Sequence, residues 1–96
     1  MIHIVMFKMK SNDVIEETVE LMKKTYKVIK ANYSVVHGYE IHTNVVERDS
    51  NMDIMIKVDL EDKAALTTYL ESPEHVELVN NIIKNVEKKV SFDFFA

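Results

Sequence analysis

The chain has 96 residues, which is enough for one domain with a modest hydrophobic core, so self-association would supply further burial. Its formal net charge of −4 and its scattered cations argue against a nucleic-acid partner, and the absence of cysteine excludes disulfides, thiolate nucleophiles and zinc–thiolate sites. The N-terminus lacks the basic region and cleavage site of a secretory signal, and no apolar run is long enough to span a membrane, so we expect a soluble, cytoplasmic protein.

The first third of the chain is predicted to form a strand and a helix. Residues 2–9 are apolar on both alternating faces, as in a central strand that is covered on two sides. Asn12 and Asp13 supply capping chemistry, and Asp13 has the spacing of a capping box with Glu16. Apolar residues then recur at three- and four-residue intervals, which predicts a helix that ends near residue 32.

Two strands follow, and a polar turn separates them. Alternation over residues 35–43 puts Val35 and Tyr39 on one face and predicts a half-exposed strand. The polar run at residues 47–51 is the clearest turn signal in the chain. An unbroken apolar face over residues 52–60 then predicts the most regular strand.

The last third of the chain is predicted to contain a pair of helices and a final strand. Residues 61–70 have helical composition, and we expect this helix to end before the only proline, Pro73. Ser72 can then cap the next helix, and Pro73 can occupy the first position of that helix. The buried stripe of this second helix is predicted to consist of Val76, Val79, Ile82, Ile83 and Val86. We expect the lysines at 88–89 to close the helix and residues 90–95 to form the strand.

The order strand, helix, strand, strand, helix pair, strand is that of the split βαβ or ferredoxin-like arrangement. This is an α+β fold with an antiparallel sheet and its helices on one face. The helices cannot also cover the other face, where Ile2, Ile4 and Met6 would lie exposed beside Met55. A second subunit could cover that face, and the two sheets would then meet in a dimeric α/β barrel.

Three segments together resemble the stress-responsive α/β barrel family, also called the Dabb domain: HIVMFK at residues 3–8, YLESPEHV at 69–76 and VSFDF at 90–94. The resemblance implies ferredoxin-like subunits that pair through their sheets. Some plant members of the family are polyketide cyclases that close a linear polyketide by an intramolecular aldol condensation, using a histidine and a tyrosine without a cofactor. The resemblance implies that His75 and Tyr69 would take these roles.

The resemblance covers the whole chain, as a single Dabb domain of residues 1–96. It further implies that the pocket is bounded by His3, Tyr26 and Ile56. The chain departs from the family pattern in the helix break, where Ser72 replaces a histidine that is common in the family. Residues 33–35 replace an Ile-Pro-Gly turn that holds a cation through backbone carbonyls in some members, which leaves open whether such a site exists here.

Each candidate side chain also has a purely structural interpretation. His75 lies in the first turn of a helix, where the dipole favours a neutral imidazole that can act as a base, or it is a surface residue that caps its helix. Tyr69, like Tyr26, either donates its hydroxyl to a ligand or is a core tyrosine. His3 points towards the helices, as a pocket residue or as a hydrogen-bonded core histidine. The remaining histidines, at positions 37 and 42, have no partner at metal-ligand spacing, so we expect no metal site.

Three functions follow from these alternatives. The first is a homodimeric Dabb-domain protein that binds a small, largely apolar molecule between sheet and helices. The second is a cofactor-free cyclase or lyase in which His75 removes an acidic proton and Tyr69 stabilises the enolate. The third is a stress-linked structural protein whose dimer is itself the function. Cofactor-independent monooxygenases share this architecture but not the segment at residues 72–75, and a chain with one glycine cannot form a glycine-rich phosphate loop.

Overall fold

The computed structural model describes residues 1–96 and contains four strands and three α-helices. In chain order these are β1 (Ile2–Met9), α1 (Ile15–Asn32), β2 (Val36–Thr43), β3 (Ile54–Leu60), α2 (Lys63–Leu70), α3 (Pro73–Ile82) and β4 (Val86–Phe94). Short 3₁₀ turns precede α1 (Asn12–Val14) and follow α3 (Ile83–Asn85). The predicted order of elements is confirmed.

The four strands form one antiparallel sheet in the order β2-β3-β1-β4, so β1 is a central strand, as predicted. All three helices lie on one face of this sheet. On β1 the buried side chains of His3, Val5 and Phe7 point towards the helices. The predicted α+β, ferredoxin-like fold is therefore confirmed. No helix combines the length and the apolarity that a membrane span requires.

β3 has the continuous apolar face that its alternating sequence predicts. Its inward side chains are at most 1% exposed: Ile54, Ile56, Val58 and Leu60. They belong to the same core as Met22 and Ile29 of α1, which are completely buried. This contact holds α1 against the sheet, and the α2–α3 pair lies over the part of the sheet that β1 and β4 form.

The predicted buried stripe of α3 is confirmed at Ile82 but wrong at Val76, Ile83 and Val86. Leu78 and Ile82 are the buried residues of this helix, whereas Val76 and Ile83 are 46% and 62% exposed. α3 ends at Ile82, and the chain then turns into β4, which already contains both lysines that were expected to close the helix. The residues of α3 that face the interior are 75, 78, 79 and 82, so the buried face of the helix is rotated by about one residue position relative to the prediction. This phase turns His75 towards the interior.

Two details near the N-terminal half also differ from the sequence patterns. The predicted cap at Asp13 is wrong, because the Ser11 hydroxyl accepts the hydrogen bond from the Asp13 backbone N–H at 3.1 Å. In β2 the residue that is buried is Val36 and not Val35, since the pairing with β3 shifts between Val36 and Gly38. Such an irregularity interrupts the alternation on which the prediction depended.

The helix-free face of the sheet is less exposed along β1 than predicted, and more exposed along β4. Ile2 is only 7% exposed, so its predicted exposure is wrong, and Ile4 is half-buried. The neighbouring strand instead presents Phe92 and Phe94, which are 65% and 37% exposed. In the β1–β4 register these phenylalanines lie opposite Ile4 and Ile2 and cover part of their surface.

Candidate functional site

A cavity of about 190 Å³ lies between the helix-covered face of the sheet and the α2–α3 pair. Most of its wall is apolar, and the two helices contribute five of the apolar side chains: Leu66, Leu70, Leu78, Val79 and Ile82. Four predicted site residues line it: His3, Tyr26, Ile56 and His75. The fifth, Tyr69, is completely buried, and its ring centre lies 4.8 Å from that of His75 and 5.9 Å from that of His3. The fold therefore brings all five together.

The break between α2 and α3 sets the relative position of Tyr69 and His75. Ser72 is 3% exposed and caps α3, because its Oγ accepts a hydrogen bond from the His75 backbone N–H at 3.2 Å. The same hydroxyl donates to the carbonyl oxygen of Tyr69 at 2.8 Å. Pro73 occupies the start of α3, as predicted, where a backbone N–H would have no helical partner. One serine side chain thus links the backbones of both candidate residues.

The imidazole of His75 has a defined tautomer. Its Nδ1 lies 3.0 Å from the carbonyl oxygen of Leu70, which can only accept, so Nδ1 carries a hydrogen and Nε2 carries the lone pair of the neutral ring. Burial lowers the pKa of His75, and the charges of Lys89 and His3 lower it further, although the hydrogen bond to Leu70 opposes this shift. His75 is therefore neutral at pH 7 and able to accept a proton at Nε2.

The hydroxyls of Tyr26 and Tyr69 are hydrogen-bonded to each other inside the core. Burial raises the pKa of Tyr69 to about 12, although the hydrogen bond to Tyr26 opposes the shift. Burial also raises the pKa of Tyr26 well above its ordinary value, and the nearby Tyr69 adds to this effect. Both phenols stay protonated. Of the two tyrosines only Tyr26 lines the cavity, so the hydroxyl of Tyr69 is linked to the cavity only through Tyr26.

Sequence reasoning missed Asp93 as a partner of His3. The two residues are paired across β1 and β4, and Nδ1 of His3 lies 2.5 Å from a carboxylate oxygen of Asp93. A carboxylate accepts, so Nδ1 donates and Nε2 is the free nitrogen of this ring as well. Asp93 alternates with Phe92 and Phe94 along β4 and therefore lies on the face opposite to these phenylalanines, which is the face of His3. This alternation is the feature of the sequence that could have identified Asp93 as a site residue. Ser91 also lines the cavity from this strand.

The other histidines lie away from the cavity. His42 is exposed beside Glu40, with 3.1 Å between Nε2 and a carboxylate oxygen, and His37 lies 3.8 Å from Glu61. Hydrogen bonds from His42 and Lys57 lower the pKa of Glu40. No three histidine or carboxylate side chains converge in a manner that could hold a metal ion.

The segment at residues 33–35 uses two of its carbonyl groups in backbone hydrogen bonds. The carbonyl of Tyr33 accepts from the Val36 N–H at 3.0 Å, and the carbonyl of Val35 accepts from the Glu61 N–H at 2.9 Å. The Tyr33 hydroxyl donates to Glu74 at 2.9 Å and ties the end of α1 to the start of α3. These contacts give the segment a role in holding the helices together.

A larger depression of about 400 Å³ lies against the opposite face of the sheet, beneath the β2–β3 connection. Met6 and Met55 form its floor, and its only histidine is the exposed His42. It is open to solvent and contains none of the predicted site residues. We therefore take the smaller cavity, where the titratable side chains meet an apolar wall, as the candidate site.

Comparisons with known proteins agree with this fold. The model of the stress-responsive A/B barrel domain family, Dabb, matches residues 1–96. No curated protein matches the sequence significantly.

Three solved structures illustrate the similarity. A dimeric ferredoxin-like protein of unknown function from Thermobifida fusca has a TM-score of 0.83 at 18% identity, over 99% of this chain and 89% of that one. A Dabb family protein from Mesorhizobium loti has a TM-score of 0.73 at 22% identity, over 99% and 94%. A hydroxynitrile lyase from Passiflora edulis has a TM-score of 0.78 at 15% identity, over 99% and 91%. At such identities the similarity concerns the fold.

Proposed function

The chain belongs to the stress-responsive A/B barrel domain family, and from this premise we propose that it forms a homodimer and binds a small, largely apolar molecule between its sheet and helices. The observation that carries the proposal is the cavity of about 190 Å³, whose wall combines aliphatic side chains with a few polar groups. Ligand sites in proteins have this composition, because apolar surface supplies affinity and a few polar groups supply orientation.

The size of the cavity limits the ligand. An apolar cavity of about 150 Å³ in another protein holds benzene, so a cavity slightly larger than this suits a single ring or a short alkyl chain with one polar group. His3, His75 and Tyr26 supply the polar part of the wall, and Ile56 supplies a flat aliphatic part. These side chains would orient the ligand.

The dimer is supported by the exposed aromatic surface of β4. Phe92, Phe94 and the adjoining Phe95 are 65%, 37% and 73% exposed on or beside the helix-free face. Exposed apolar clusters of this kind favour a partner surface, and a two-fold axis would pair the same cluster of two copies. The Thermobifida fusca protein of the same fold is dimeric.

Native mass spectrometry of freshly purified protein tests both parts of the proposal. We expect twice the chain mass and, where the natural ligand survives purification, a definite additional mass. Binding is then measured with the neutral probe phenylacetamide by chemical-shift titration of backbone amides. Val79→Trp, which fills the cavity, should abolish binding, whereas Val76→Trp on the exposed side of α3 should keep it. Equal binding by both variants would contradict the proposed site.

A second candidate function is cofactor-free acid–base catalysis, and the free Nε2 of neutral His75 beside the buried tyrosine pair favours it. In such a reaction His75 removes a proton from a carbon next to a carbonyl group, and a tyrosine hydroxyl stabilises the enolate oxygen. Tyr26 would make the contact and Tyr69 would orient it, because their hydroxyls share a hydrogen bond. In a cyclase reaction the enolate carbon then attacks a second carbonyl group of the same poly-β-keto molecule, and the proton held by His75 passes to the alkoxide that forms. In a lyase reaction the same step runs in reverse, so that a carbon–carbon bond breaks.

The test of this second candidate is turnover of a poly-β-keto thioester. His75→Ala and Tyr69→Phe should abolish it, and His42→Ala, which changes an exposed histidine, should not. Tyr69→Phe leaves the Tyr26 hydroxyl without its partner, so we expect a loss of stability of about 1–3 kcal/mol and the assay must be run well below the melting temperature. Wild-type turnover in both cavity variants would exclude this role for His75 and Tyr69.

A further inference from the structure

We infer that the ligand of the cavity carries a carboxylate, which is bound by the ammonium group of Lys89 and the hydroxyl of Ser91. The inference rests on the proposed binding function and specifies its ligand class. The ligand is then a small aryl or alkyl carboxylic acid, with its apolar body among the side chains of α2 and α3 and its anionic end at β4.

The helix-side face of β4 adds three polar side chains to the cavity wall, and all three are also exposed to solvent. Lys89, Ser91 and Asp93 occupy alternate positions of this strand, and all three line the cavity. Alternate residues of a strand lie about 7 Å apart on the same face, so these three side chains form one row along the wall. The helices opposite them contribute mainly aliphatic side chains, which gives the cavity a polar side and an apolar side.

Two groups in this row have no partner within the chain. One carboxylate oxygen of Asp93 is hydrogen-bonded to Nδ1 of His3 at 2.5 Å, so Asp93 is already engaged within the chain. Lys89 forms no ion pair, in contrast to Lys57, which lies 3.3 Å from Glu40, and Ser91 forms no side-chain hydrogen bond. An ammonium group and a hydroxyl on a cavity wall are both donors, and they are available to an acceptor that enters the cavity.

The charge at the Lys89 end of the wall favours an anion. Burial lowers the pKa of His75 and keeps it neutral near pH 7, and Lys89 lines the same cavity as this imidazole. A cationic ligand at Lys89 would meet this ammonium group, because the carboxylate of Asp93 lies four residues farther along the strand, about 13 Å away. A carboxylate bound at Lys89 would neutralise the charge and form a charge-assisted hydrogen bond.

One lysine suits a carboxylate better than a phosphate. Phosphate sites usually combine several cations or a row of backbone N–H groups from a glycine-rich loop. The cavity has a single lysine and no arginine among its lining residues, and no glycine lines it. Its volume of about 190 Å³ also favours a small head group beside a single ring or a short chain.

The experiment compares two probes of nearly equal shape, phenylacetate and phenylacetamide, with the intact protein at pH 7.5 and low ionic strength. The wild type should bind phenylacetate about tenfold more tightly, as expected for one hydrogen bond to a charged group. Lys89→Met should bring the ratio of the two dissociation constants close to one. Lys84→Met removes the same charge from the exposed turn before β4 and should leave the ratio unchanged.

The outcomes separate this inference from the proposed function. Equal binding of the two probes by the wild type, or a preference that persists in Lys89→Met, would overturn the carboxylate site and leave the apolar cavity intact. Failure of both probes to bind would overturn the proposed cavity and the inference with it. Lys89→Gln serves as a second neutral variant in case Lys89→Met does not fold, and Lys89→Arg should keep a preference for phenylacetate.

Discussion

Replacement of Phe92 by alanine should weaken the proposed dimer without unfolding the subunit. Phe92 lies on the helix-free face of an edge strand, and 65% of its surface is exposed in the single subunit. It therefore contributes little to the core of its own subunit. If two sheets meet face to face, this side chain is among the largest that their contact would bury, and a two-fold axis would bury it twice.

The size of the effect follows from the exposed area. A fully covered phenylalanine side chain buries about 150–250 Å² of surface. Because Phe92 is 65% exposed in the single subunit, about 130 Å² of its surface remains for a partner to cover. At about 25 cal/mol per Å², complete burial contributes about 3 kcal/mol per side chain and about 6 kcal/mol per dimer. Half of this contribution would still raise the dimer dissociation constant by about a hundredfold.

Sedimentation equilibrium over a range of protein concentrations measures this change, and circular dichroism checks that the fold is retained. Ile83→Ala is the matched control, because Ile83 is 62% exposed but lies in the turn between α3 and β4. We expect Ile83→Ala to leave the dissociation constant unchanged. If Phe92→Ala dimerises as tightly as the wild type, the β4 aromatic surface is not the interface and the sheet-to-sheet arrangement is wrong.

Three further predictions concern stability. Tyr26→Phe and Tyr69→Phe should each lower the free energy of unfolding by about 1–3 kcal/mol, because each leaves a buried hydroxyl unpaired; the double variant should lose less than the sum in urea denaturation, and additive losses would refute the coupling. Ser72→Ala removes the cap of α3 and should lower the free energy of unfolding by about 1 kcal/mol, whereas Ser50→Ala in the exposed loop should change it little. Burial holds the pKa of His75 below its ordinary value of 6.5 in the folded state, so the unfolded chain binds this proton first as the pH falls. The free energy of unfolding should therefore decrease below about pH 6.5, and it should decrease less in His75→Gln. Urea denaturation at pH 7.5 and 5.5 measures this change, and an equal decrease in the wild type and in His75→Gln would contradict the prediction.

The fold was predictable wherever one pattern applied to a whole element. The alternation through β3 and the serine–proline pair at Ser72 and Pro73 each indicate one structure, and both are observed. The end of α3 was not predictable in this way. Valines and isoleucines continue past Ile82 at helical spacing, and no glycine or proline marks the change to β4, so Val86 was assigned to the helix although it starts the strand.

The candidate site was predictable where its residues are close in sequence. Tyr69 and His75 flank one helix break, and their contact follows from local geometry. The pairing of His3 with Asp93 joins residues near opposite ends of the chain and depends on the register between β1 and β4, which a single sequence does not reveal. Lys89 was missed for a related reason, since a lysine near a helical pattern is typical of a helix C-terminus.

The structural role of His75 bears on how the candidate functions can be separated. Its Nδ1 donates to the carbonyl of Leu70, the last residue of α2, and so satisfies one of the carbonyl groups that a helix end leaves unpaired. The fold therefore gives a reason for His75 even without catalysis, and a His75 variant perturbs the helix break together with any chemistry. Lys89 has no comparable structural partner. Its substitution changes the charge of the cavity and leaves the α2–α3 junction intact, so it tests binding more selectively than any His75 variant.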